Sequence, residues 1–267
     1  MAAIAPADRV RIRCNNCTAR ISAGDAVRLP NARRTAANVI EVDVNGDADL
    51  VVPRAAAVEW IGTGKARAEV RDVAALHIDD ASGTVTARNV RGNVDGKSGN
   101  GNITIDGAGG LVDLVTGNGI IVAAHVGGGV HAVSINGRTE IRCVTGGVDV
   151  KDTSGKVAVS DVDGDVDVFT ALGQAHYDGA LRASHIYRLR TLDGAVALGY
   201  GPGGSGFVAQ LASDAMQIDT DPPLAGKPRR AEVRVGDERA RVVLDAVGGR
   251  VELARAGARA GARSACR

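Results

Sequence analysis

The sequence predicts an all-β, single-domain β-solenoid, a coil of about nine-residue strand-turn units closed by β end caps. Three observations carry that prediction. Glycines that lead into short apolar runs recur from Gly83 through Gly92, Gly101, Gly110 and Gly119 to Gly173, at steps of 8 to 10 residues. Within the runs apolar residues alternate: Ile103 with Ile105, Val157 with Val159 and Val166 with Val168 share one face, which is the period of a strand with one buried side. The chain is 45% hydrophobic but only 2% aromatic, so its core is built from Ala, Val and Ile in thin uniform layers, as stacked coils require. A fixed short period favours coils over hairpins, because a stacking coil must return to the same register each time.

The elements follow in order. Residues 1–82 carry looser strands, "VRIRC", "TARIS", "NVIEVDV" and "VEWIG" among them, and form an N-terminal β cap with the first coils. Such a cap is needed because a terminal rung exposes unpaired backbone groups. Residues 83–198 are the regular repeats, two units or about 18 residues making one two-sided coil with a rise of about 4.8 Å. Corners of a polar type (Ser98-Gly99, Thr116-Gly117, Thr145-Gly146, Ser154-Gly155) and of an apolar type (Val90-Arg91-Gly92, Ile135-Asn136-Gly137, Val162-Asp163-Gly164) imply two edges. The period slips after Gly173, the loop "GYGPGGSG" breaks it, and residues 199–253 form a C-terminal β cap. The tail 254–267, "ARAGARAGARSACR", alternates arginine with small residues and is expected to be disordered.

Gly-x-Val-x-Val runs between these corners, with an ending such as "ARVVLDAVGGRVEL", resemble the bacterial β-strand-repeat family of adhesin-like domains of unknown function. The resemblance covers residues 38 to 253 and is densest between 83 and 173. It implies a β-solenoid and no chemistry. Bactofilins, which polymerise end to end, share the glycine-punctuated strands but lack large caps.

Charge does not choose a partner. The net charge is +1, with 32 basic against 31 acidic residues, which excludes a global field for nucleic acid. The most apolar window, 110–130, is interrupted by Asp113, Asn118 and His125, so no membrane span is expected. No leader is visible at "MAAIAPADRVRIR", and four scattered cysteines (Cys14, Cys17, Cys143, Cys266) are expected to be cytosolic thiols; an envelope location is the alternative.

Candidate sites are few. A phosphate-cradling glycine loop needs a helix after the glycines, and here every glycine leads into a strand. Asp161, Asp163, Asp165 and Asp167 in "SDVDGDVDV" place alternate carboxylates on one strand face, a Ca²⁺ candidate that Asp149 and Asp152 would extend by stacking above it. Cys14 and Cys17 flank Asn15-Asn16, a two-residue hairpin signal, and would provide half a zinc site. Cys143 continues the Thr139 and Ile141 face toward the core. Arg182, Tyr187, Arg188 and Arg190, at the slip in the repeat, are the candidate exposed recognition patch. The histidines, His77, His125, His131, His176 and His185, are dispersed, and six aromatic residues are too few for a sugar platform. The expectation is therefore a non-enzymatic scaffold without a cofactor, whose partner is another protein or a second copy. An adhesin is the alternative, and a carbohydrate-active enzyme a more distant one.

Overall fold

The computed structural model describes residues 9–215, 217–221, 223–226, 228–256 and 266. They form 21 strands and, among the described residues, no helix. The chain divides into two compact units, Met1–Gly128 and Gly129–Arg267. Each is a stack of two-sided coils with parallel strand pairing, the β-solenoid that the alternation predicts.

In the first unit, β1 (Arg9–Asn15) and β2 (Thr18–Gly24) make one coil. After β3 (Arg33–Ala36), a second coil is made by β4 (Val39–Val44) and β5 (Asp47–Pro53). Then come β6 (Ala57–Thr63) with β7 (Arg67–Arg71), β8 (Ala75–Asp80) with β9 (Thr84–Val90), and β10 (Val94–Ser98) with β11 (Asn102–Ala108). Finally β12 (Val112–Val126) runs through both sides of its coil. The stacking order departs from chain order at the start: β1 lies between β4 and β6, and β2 between β5 and β7. The first coil is thus inserted beneath the second, and β3 covers the open edge of β4 in antiparallel pairing. From β6 onward the stack is sequential, Val58 lying under Leu76, Leu76 under Val94 and Val94 under Val112.

Arginines on the outer side of β1 bind this insertion. Glu41, only 5% exposed, receives Arg33 at 2.6 Å, Arg13 at 3.5 Å and Arg11 at 3.8 Å, while Glu59 receives Arg11 at 3.1 Å. Strands β3, β4, β1 and β6 are joined by one ionic network. The Arg33 guanidinium holds the Glu41 carboxyl below the usual carboxylate range.

The second unit mirrors the arrangement at the other chain end. The strands β13 (Val130–Val144), β14 (Val148–Val162), β15 (Val166–Gly179) and β16 (Ile186–Tyr200) stack in sequence, each a whole coil. Val148 lies over Val166, but Val166 lies over Tyr187, so the predicted slip is an insertion confined to the turn after Gly179. Next in the chain are β17 (Phe207–Ser213), β18 (Gln217–Thr220) and β19 (Arg230–Val235), followed by β20 (Ala240–Ala246) and β21 (Arg250–Arg255). The last coil is inserted: β20 lies between β16 and β17, and β21 between β16 and β18. An antiparallel strand, β19, covers β17.

Two different corners explain the repeat grammar. At the first, a Ser or Asp side chain can accept a hydrogen bond from the backbone N–H of the glycine three residues on, as Ser98 Oγ does from Gly101 at 2.9 Å and Asp80 Oδ2 from Gly83 at 2.5 Å. The same column holds Thr116 in the first unit and Ser134, Asp152, Thr170 and Thr191 in the second, all buried. Its glycine has no alternative, because a Cβ on Gly101, Gly119 or Gly173 would overlap the carbonyl oxygen of the coil before it. Close approach, rather than positive φ, fixes these glycines. The second corner carries the left-handed residues, Asn89, Gly107 and His125 in one unit and Cys143 and Asp161 in the other. Two edges therefore exist, but composition sorts them incorrectly. Asn136 lies in register with Ser154, and Val144 with Val162, so Ile135-Asn136-Gly137 turns at the first corner and Thr145-Gly146 at the second.

The core is the inward column of each sheet. Ile12, Trp60, Ile78 and Leu114 lie in it with almost no exposure, each contributing about 1.5–3 kcal/mol on burial. Gly96 stands in the same column, where a Cβ would press on Ile78 and Leu114 at 3.1 Å.

Candidate functional site

The second unit brings together the aspartate run and the arginine patch. Asp163 Oδ1 accepts from Arg182 Nε at 2.7 Å; Asp165 Oδ1 accepts from the Ile186 N–H at 2.9 Å and contacts His185 Nδ1 at 3.0 Å. Asp167 receives Arg188 at 2.9 Å and Arg190 at 3.1 Å. These two candidate clusters neutralise each other across adjacent coils. Asp165 is held below the usual range by the Ile186 N–H first and His185 after it. Asp149 lies in register with Asp167 in the next coil and near Lys151, at 3.9 Å.

Tyr187 is a correction. The tyrosine expected in an exposed patch is fully buried, its ring 5.0 Å from that of Tyr177 and its hydroxyl accepting the Arg182 N–H at 2.8 Å. Its position in the strand points inward, and the slip in the repeat lies in the preceding turn rather than in β16. What remains exposed of the patch is three arginines with acidic partners, with Arg190 also 5.9 Å above the Phe169 ring.

The cysteines are a second correction. They are paired, not free: Cys14 with Cys17 (Cα atoms 5.6 Å apart) and Cys143 with Cys266 (5.3 Å). The half zinc site expected at Cys14 and Cys17 thus has no thiolate to offer while the bond is intact. Nor is Asn15-Asn16 a hairpin, because β1 and β2 belong to opposite sides of one coil and do not pair; Asn16, at φ 50°, turns the corner between them. The first sulfur pair is buried, at 2% and 3% exposure.

Cys143 and Asp161 occupy the left-handed corner of successive coils, at φ 57° and 51°. With Cys266 they form a three-donor cluster, the two sulfurs and a carboxylate oxygen all within 4.8 Å of one another. Burial raises the Asp161 carboxyl above its ordinary range, and the neighbouring Asp178 raises it further. The spacing between Cys143 and Asp161, one coil, was readable in the sequence; the return of Cys266 from the far end of the chain was not.

Beyond this cluster, buried carboxyls at the first corner, Asp80 and Asp152, also ionise less readily than ordinary ones, through burial. Asp152 Oδ1 accepts from Thr170 Oγ1 at 3.3 Å, and Asp80 lies beside the Trp60 indole, in space that Gly62 leaves open. Both carboxyls serve corners. Histidines are apart from one another, His77 with Asp95 at 3.0 Å and His125 with Asp106 at 2.7 Å. The arginine tail expected to be disordered lies, apart from Ala254, Arg255, Ala256 and Cys266, outside the described residues. No helix among the described residues is long and apolar enough to cross a membrane.

No family model matches the chain, and no curated protein matches it. Among solved structures, a candidate cell adhesion protein from Clostridium sporogenes is 9% identical over 94% of each chain, with a TM-score of 0.20. At that TM-score the likeness carries no argument about this chain.

Proposed function

We propose that this chain is a non-enzymatic β-solenoid scaffold for protein contacts, acting in an oxidising compartment of the cell envelope or surface as an adhesin-like module. The observation that carries the reading is the pairing of all four cysteines. Disulfides persist in periplasmic and extracellular proteins and are rare in a reduced cytosol, so the envelope alternative is favoured over the cytosolic one. Chemistry is disfavoured by the mutual pairing of the acids and cations that were its best candidates.

The contact face is suggested by apolar side chains that recur at the first corner of the second unit. Ile135 and Leu192 follow the buried Ser134 and Thr191 of that corner, and Val247 follows the buried Ala246 in register with Thr191; they stand 53%, 51% and 47% exposed, and Leu172 beside them is 59% exposed. An exposed apolar row of this kind marks an interaction surface.

Alkylation of thiols in intact cells, followed by mass measurement, tests the compartment: no alkylated cysteine supports it, and four would return the protein to the cytosol. Cross-linking on the same cells tests the scaffold. Wild type should capture a reproducible partner that Leu172→Glu/Leu192→Glu loses; an unchanged capture removes this face from the reading.

A further inference from the structure

We propose that Cys143, Asp161 and Cys266 form a redox-gated site for a thiophilic divalent cation of the Zn²⁺ class. The site is closed as a disulfide and opens on two-electron reduction.

The geometry of the donors comes first. Cys143 and Asp161 are one rung apart, about 4.8 Å, and both backbones are left-handed there, which turns their side chains out of the sheet alternation and toward the same corner. Cys266 completes the group, with every donor atom within 4.8 Å of the others. Tetrahedral zinc binds sulfur at about 2.3 Å and carboxylate oxygen at about 2.0–2.2 Å, so its ligand atoms lie a little under 4 Å apart. Small side-chain rotations bring this cluster to that spacing once the sulfur–sulfur bond is broken. Two thiolates, one carboxylate and a water fill four positions.

The Asp161 carboxyl faces the two sulfurs and is partly buried, and the guanidinium of Arg182 is engaged with Asp163.

The position of the cluster gives the site a purpose. Strand β21 ends beside Tyr200, at the same corner column, four rungs from β13. Ala256 and Cys266 are ten Cα-to-Cα steps apart, which can reach about 33 Å, while four rungs need about 19 Å. The C-terminus is therefore tied back to the first coil of its unit. A disulfide does this under oxidising conditions, and a metal dithiolate would preserve the same tie under reducing ones. The chemistry balances: a dithiol reductant gives two electrons and two protons to the cystine and becomes a cyclic disulfide, and the cation then displaces two thiol protons to solvent. The proposal does not depend on the compartment inferred above.

Cobalt(II) titration of the full-length chain, reduced with a phosphine and handled without oxygen, tests it. Expected are one equivalent bound with a thiolate-to-metal charge-transfer absorption, displacement by Zn²⁺, no signal in the oxidised protein, loss of the signal in Cys266→Ser, and at least 10-fold weaker binding in Asp161→Asn. Cys14→Ala/Cys17→Ala should keep the signal. Absence of the absorption in reduced protein that retains its β circular dichroism overturns the proposal. So does a signal that survives Cys266→Ser and disappears in Cys14→Ala/Cys17→Ala, which would put the metal at the other cysteine pair.

Discussion

At Gly173 the coil leaves no space for a side chain, since a Cβ would overlap the Gly155 carbonyl oxygen in the neighbouring rung. Gly203 differs: its φ is +82° but nothing lies within 4 Å. Gly173→Ala is expected to cost about 1–3 kcal/mol through overpacking, and more where backbone must shift. Gly203→Ala pays only the left-handed penalty of about 1–2 kcal/mol. Thermal melting of the two variants checks the order; an unaffected Gly173→Ala protein would remove close approach as the reason for the repeat. Asp152 makes a different case at the same corner. Burial raises its carboxyl pKa in the folded chain, whereas the unfolded carboxyl ionises near about 3.9. Between those values the native state binds the extra proton, so stability falls as pH rises from about 4 until the folded carboxyl itself ionises. Ser, which fills this column at Ser98 and Ser134, carries no such loss. Asp152→Ser should therefore gain on wild type between pH 4 and pH 8 in urea unfolding, and a difference independent of pH would show that burial of the carboxyl is not what limits stability there.

Among the elements, one disulfide lies in an inserted coil and the other follows one. Cys14–Cys17 fixes the corner between β1 and β2, and Cys143–Cys266 ties the segment after β21 to β13. Chain entropy makes them unequal: a separation of 3 residues is worth about 2 kcal/mol, and one of 123 about 5 kcal/mol, as ceilings. Cys266→Ser should lower the urea midpoint of the second unit more than Cys14→Ser/Cys17→Ser lowers that of the first; the reverse order would mean that the long tie is slack. Strand alternation made these elements legible in advance, because residues such as Val157 and Val159 must face inward whichever coil they stack upon. Glycine steps likewise gave the rung length. Stacking order was not legible, since the charges that select it, Arg11 between Glu41 and Glu59, are far apart in the chain and have no period. The Cys143–Cys266 pair, 123 residues apart, was hidden for the same reason. Tyr187 was misplaced because an insertion in the turn before it shifts the register without changing the alternation, and the aspartates looked like a metal site because their arginine partners belong to the next rung.

For the molecule as a whole, insertion reverses the usual relation between chain end and stability. Chain termini commonly fray, and exchange is fastest there. Here β1 has β4 on one side and β6 on the other, and β20 has β17 and β16, so residues near each end of the described chain are paired along both edges. The outer coils, β4 with β5 and β17 with β18, come from further inside the sequence and rest on those inserted strands. They complete their stacks only after the terminal coil is in place. Hydrogen exchange followed by mass spectrometry should then find residues 9–24 and 240–255 better protected than residues 39–53 and 207–220. Removal of residues 240–267 should leave 207–235 open to protease while 130–200 stays the more resistant part, because β13 to β16 pair with one another in sequence and lose only the cover for the edge of β16 and the Cys266 tie to β13. Fast exchange in both terminal coils, with slow exchange in the outer ones, would mean that the ends close the stacks last and are not what the outer coils stand on.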